Sequence, residues 1–151
     1  MKKKKYYRLL TGFLALLLGI FLLHPGTAKA AGEKVYFGSE SYEWTLDANV
    51  FLGVYASSDQ TLDHVEMTIR YDADMLEFQQ GGELVEPGLV KLDSTGVKTK
   101  EFKRMLSFKT KMSGMTVATI ENSVLTLQDG TQQTMAETEV PIQVQIPESC
   151  K

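Results

Sequence analysis

Four polar side chains recur at every second position in the stretch His64-Val65-Glu66-Met67-Thr68-Ile69-Arg70-Tyr71. In an extended strand, alternate residues share one face, so His64, Glu66, Thr68 and Arg70 stand side by side while Val65, Met67, Ile69 and Tyr71 face the opposite way. A row carrying a cation, a carboxylate, a hydroxyl and an imidazole offers donors and acceptors of both signs. That chemistry fits either a solvated sheet face or a surface for docking a protein.

Catalysis has little material. Hydrolysis by a Ser/His/Asp or Cys/His set needs a base beside its nucleophile. His64 is the only histidine after residue 30, and no glycine-flanked nucleophile accompanies it. Two carboxylates would suffice for a glycosidase, but a domain this small with both sheet faces committed has no room for a deep cleft. No catalytic residue is assigned.

No cofactor is expected. Calcium is the one ion for which oxygen donors lie close in sequence, at Asp72, Asp74 and Glu77 or at Asp47 and Asn49, and neither set completes a known calcium loop. Asp72 is better suited to capping the turn that follows the strand. A carbohydrate platform needs exposed aromatics. Trp44 shares its parity with Leu46, Val50 and Leu52 and so belongs to the core. Tyr55, with Phe51 on the same side, is the candidate sugar contact.

The elements holding these residues are strands. Apolar residues occupy Trp44, Leu46, Ala48, Val50, Leu52 and Val54, predicting one long half-buried strand from Trp44 to Tyr55. The run 64–71 repeats the pattern, and Val140, Ile142, Val144 and Ile146 repeat it near the end. Val35–Phe37, 75–79, 84–92, 102–110, 115–120 and 123–127 complete about nine strands. Ser57-Ser58-Asp59, Gly81-Gly82, Pro87-Gly88, Asp93-Ser94-Thr95-Gly96, Ser113-Gly114 and Asp129-Gly130 supply breakers between them. No stretch after residue 31 has helical periodicity beyond one short turn at 72–76. The expected fold is an all-β jelly-roll sandwich.

A leader precedes this domain. Lys2–Lys5 form a positive segment, Leu9–Leu23 an apolar run too short for an ordinary bilayer span, and Ala28-Lys29-Ala30 a small-x-small pattern. This predicts a signal helix over 1–30, cleaved between Ala30 and Ala31, a domain over 31–147 and a tail over 148–151. The alternative is a retained anchor. The membrane is otherwise met only in transit, and the protein is expected to be secreted or held at the cell surface. The leader takes six of the sixteen basic residues and none of the nineteen acidic ones. The remaining ten basic and nineteen acidic residues give a formal charge of −9, which repels phosphate backbones and argues against nucleic acid. Cys150 is the sole cysteine, so no internal disulfide can form.

The phrase Ile69-Arg70-Tyr71-Asp72-Ala73-Asp74-Met75-Leu76-Glu77-Phe78 resembles the one with which cohesin domains close their third strand. Met105-Leu106-Ser107-Phe108-Lys109-Thr110-Lys111 followed by Gly114 is similar to a late cohesin strand. Ile120-Glu121-Asn122-Ser123-Val124-Leu125 with Asp129-Gly130 is similar to the hairpin after it. Ala73 replaces the family's proline, His64 stands where an amide is frequent, and the segment around 81–101 is short. The resemblance implies a nine-stranded jelly roll of the cohesin and carbohydrate-binding-module type. It also implies a non-catalytic exported receptor that binds dockerin modules in polysaccharide-degrading assemblies, with polar contact positions at His64 and Glu66. A carbohydrate-binding module or a cell-envelope spacer on the same fold is the alternative.

Overall fold

The computed structural model describes residues 32–150; the signal helix expected over 1–30, the cleavage expected between Ala30 and Ala31, and Lys151 lie outside the described residues. Alternation of apolar and polar residues dominates the chain, and nearly all of it is extended. The strands are β1 (Lys34–Phe37), β2 (Tyr42–Thr45), β3 (Asn49–Arg70), β4 (Leu76–Gln80), β5 (Glu83–Glu86), β6 (Leu89–Thr110), β7 (Gly114–Leu127), β8 (Gln132–Thr134) and β9 (Thr138–Gln145), followed by a 3-10 turn at Glu148–Cys150. The domain is all-β, as the alternation predicts.

Two strands of twenty-two residues, β3 and β6, run through both layers of the sandwich. The first half of β3 pairs with β1 and with the second half of β6, which also carries β4. The second half of β3 pairs with the first half of β6 and with β7. Beyond these lie β5 next to β6, and β8 and β9 next to β7, with β2 parallel to β9. Register shifts at Ser57/Leu62 and Leu62/His64 mark where β3 crosses between layers.

Several expected boundaries are therefore corrected. Ser57-Ser58-Asp59 and Asp93-Ser94-Thr95-Gly96 do not end strands; they lie inside β3 and β6. Bulges bend a strand without breaking its ladder, so residues typical of turns serve there as corners. Likewise 115–120 and 123–127 are one strand, β7, carried through Asn122 in a left-handed conformation (φ 52°). The stretch 84–92 divides into the hairpin of β5 and β6 at Pro87-Gly88, where Gly88 has φ 92°. The short β8 went unanticipated, its three polar residues giving no apolar alternation.

The long strand expected over 44–55 divides at Asp47 (φ 61°), and β2 leaves to join β9 in the other layer. Buried Thr110 holds this corner. Its hydroxyl donates to the Thr45 carbonyl at 2.6 Å and accepts from the Ala48 N–H at 2.9 Å. Thr110→Val keeps the shape and deletes both bonds. Leaving two backbone groups unpaired is expected to cost about 1–3 kcal/mol, read as a loss of several degrees in Tm; an unchanged Tm would show that water replaces the hydroxyl.

The inner faces of both layers form one core, including Leu52, Val54, Val65, Met67, Ile69, Leu106, Phe108, Ile120 and Ile142. Trp44 turns toward this core as its parity predicts, partly buried and tilted against Tyr42 with ring centroids 5.1 Å apart. After β3 the chain turns as Asp72 suggested: Oδ1 of Asp72 accepts from the Asp74 N–H at 2.9 Å, and its carbonyl accepts from Leu76.

Candidate functional site

His64, Glu66, Thr68 and Arg70 do share one face, the outer surface of the layer built on the second half of β3. Val65, Met67 and Ile69 between them are fully buried, which fixes the register, because a one-residue slip would expose the whole apolar set. Across from these four on β6 stand Thr95, Asp93, Lys91 and Leu89. On the other side β7 places Thr126, Val124, Glu121 and Thr119 opposite them.

The charged residues join across strands along diagonals. Nε2 of His64 meets Oδ1 of Asp93. The Lys91 ammonium donates to Glu66 at 3.1 Å. Arg70 donates through Nε and Nη2 to one oxygen of Glu121, at 3.1 and 2.8 Å. Thr68 sits at the centre, opposite Lys91 on one side and Glu121 on the other. Three of the six paired groups, Lys91, Asp93 and Glu121, carry no signal in the sequence, because strand pairing that spans 25–55 residues leaves no local signature.

The hydrogen bond to Glu121, and then its charge, raise the Arg70 pKa; Glu66 does the same for Lys91. Glu86 and Glu137 add to the field at Arg70, and Glu83 and Asp93 to that at Lys91. Both cations stay charged through the neutral and mildly alkaline range. A raised lysine contributes stability below its ordinary value, about 10.4, and loses it only as the pH climbs past the folded value. Around these two cations stand six carboxylates, from Glu66, Glu83, Glu86, Asp93, Glu121 and Glu137. The face is acidic and tied together by its own ion pairs, and the ladder between β3 and β7 is irregular between Glu66 and Thr68.

The remaining candidates lie elsewhere. Asp47 pairs with Lys109 at 3.3 Å, and Asp72 is engaged in its turn. Among the described residues, no three His, Cys, Asp or Glu side chains converge to hold a metal ion. Tyr55 lies on the outer surface of the other layer. There it stacks on Tyr36 with centroids 5.2 Å apart and planes within 8°, and the Lys103 ammonium lies 5.9 Å from its ring centre. Phe51 is 55% exposed on the same side. The part of Tyr36 in this group was not foreseen, since it depends on β1 pairing with β3.

No protein-family model and no curated protein matches the sequence. Solved structures do match. A cohesin module from a Clostridium perfringens family 33 glycoside hydrolase superposes with a TM-score of 0.68 at 12% identity, covering 77% of this chain and 98% of that one. The sixth cohesin of Acetivibrio cellulolyticus scaffoldin B, solved in complex with the Cel5 dockerin, gives 0.64 at 16% identity over 76% and 99% of the two chains. A non-cellulosomal cohesin from the archaeon Archaeoglobus fulgidus gives 0.64 at 13% identity over 79% and 95%. At these identities the likeness is one of fold, and the fold is cohesin-like.

Proposed function

We propose that this protein is an exported, non-catalytic docking module that binds a protein partner through the outer face of β3, β6 and β7. The observation that carries this proposal is the row of two diagonal ion pairs, Lys91–Glu66 and Arg70–Glu121, with the His64–Asp93 hydrogen bond beside them, around Thr68. Independent surface charges on flexible stems would lose side-chain entropy on binding; charges already held against each other on rigid strands lose less. The surplus of carboxylates sets the sign of the partner, whose contact surface must be basic. The likeness to cohesins solved with dockerins supports a dockerin-type module as the partner class; another surface protein of basic character fits the same face.

A bulky cation at the centre of the face tests this with little disturbance of the fold. Thr68→Arg removes no core contact and no ion pair. The immobilised protein, exposed to secreted and envelope extracts of its producing organism, is expected to retain a basic-faced protein that the Thr68→Arg form does not, while the two forms melt within about 3 °C of each other. Retention of the same protein by both forms would place docking on another surface.

A further inference from the structure

The outer face of the opposite layer carries an arrangement that docking leaves unused. Strand register places Tyr36, Tyr55 and Lys103 in one row across β1, β3 and β6. The two tyrosine rings stack, and the Lys103 ammonium stands beside the second. Glycines keep them there. A Cβ on Gly53 would come within 3.0 Å of the Tyr55 ring and 3.3 Å of the Met105 sulfur, and one on Gly38 would come within 2.9 Å of the same ring. Phe51 continues the surface beyond Gly53, with Tyr36 37% exposed at the other end. Next to Tyr36 a shallow open groove is lined by Gly38, Ser39, Glu40, Thr138 and Glu139.

Charge on this face differs from charge on the docking face. There, Lys91 and Arg70 each hold a carboxylate. Here Lys34 and Lys103 flank the tyrosines, and among the described residues no carboxylate lies within 4.0 Å of either ammonium. Acidic residues border the face, Glu101 opposite Ser57 and Glu40 and Glu139 in the groove beyond Tyr36, but none of them reaches either ammonium, so the cationic part of the face is the one beside the tyrosine rings. An occupant must therefore bring flat, partly apolar rings for the tyrosines and anionic groups for the lysines.

We infer that this face binds an acidic polysaccharide, one whose sugars carry carboxylates. The C–H face of a pyranose ring packs on an aromatic ring as an apolar surface, while its carboxylate pairs with Lys103 or Lys34 and its hydroxyls reach the serine and threonine groups nearby. The inference is independent of the docking proposal, because the two surfaces are on opposite layers.

Affinity electrophoresis of the purified protein in gels containing polygalacturonate, a neutral β-glucan or poly-glutamate provides the test. Retardation by polygalacturonate is expected, at least about tenfold stronger than by the neutral glucan and weakened by added salt, as a charge-assisted contact requires. Lys103→Gln and Tyr36→Ala should each weaken it about tenfold, and Thr68→Arg should leave it unchanged. Lys103→Gln touches nothing in the core, so it remains informative if Tyr36→Ala fails to fold. Equal retardation by poly-glutamate would mean that the face takes acidic protein and would overturn the inference. So would absence of retardation by polygalacturonate, or retardation that survives both substitutions.

Discussion

The Phe108→Ala protein is expected to lose about 3–5 kcal/mol of unfolding free energy. Phe108 is completely buried in the second half of β6, opposite Val50. Its ring packs edge-on against Tyr71 at 4.9 Å and against Phe78 at 5.6 Å between centroids. Truncation therefore removes a large apolar surface and two aromatic contacts at once. It does so where β3, β4 and the turn after Arg70 meet, so relaxation into the cavity would have to move the end of the proposed docking strand. With one cysteine in the chain, no internal disulfide offsets the loss. Domains of this size hold about 5–15 kcal/mol in total, so the variant should unfold at markedly lower urea and bind its partner weakly only because it is less folded. Phe108→Leu, which fills more of the space, should recover roughly half. A loss below about 1 kcal/mol for the alanine form would mean that the core is far looser than its burial indicates.

Reversing charge on the proposed docking face should have the opposite signature, with binding lost and stability nearly kept. In the Glu66→Lys/Asp93→Lys protein, Lys91 and His64 lose their partners and the face gains two cations. Exposed ion pairs contribute little to stability, so the melting temperature should change only slightly. Like charges brought together on association cost several kcal/mol, so affinity for a basic-faced partner should fall at least about a hundredfold. The wild-type association rate should drop as ionic strength rises, because screening shortens the reach of the acidic field. For the variant that salt dependence should flatten or reverse. An unaltered affinity, measured by biolayer interferometry at two salt concentrations, would remove charge complementarity from the account.

The sequence was most informative where one period governs a whole strand. The residues from His64 to Tyr71 alternate cleanly, and both their inward and outward sets are where parity predicts. Corners were misread because Ser57-Ser58-Asp59 and Asp93 to Gly96 carry turn residues, and local chemistry does not distinguish a turn that reverses the chain from a bulge that bends it between layers. Asp47 shows the reverse failure: alternation runs on past it unbroken, although the backbone turns there and Thr110, sixty-two residues from Ala48, holds the turn. The site was legible by half for the same reason. Its β3 residues follow from local pattern, whereas Lys91, Asp93 and Glu121 enter through pairings that only the assembled sheet specifies. Tyr36 likewise joins Tyr55 through β1, a strand of four residues whose place in the sheet is set by distant partners.

Hydrogen–deuterium exchange of the protein with and without its captured partner distinguishes docking on the acidic face from docking on the tyrosine face. Docking through the acidic face should slow exchange at 64–70, 89–95 and 119–126 and leave 51–57 and 101–107 unchanged. Protection confined to 51–57 and 101–107 would contradict it, placing the partner on the tyrosine face and leaving the acidic face without a ligand.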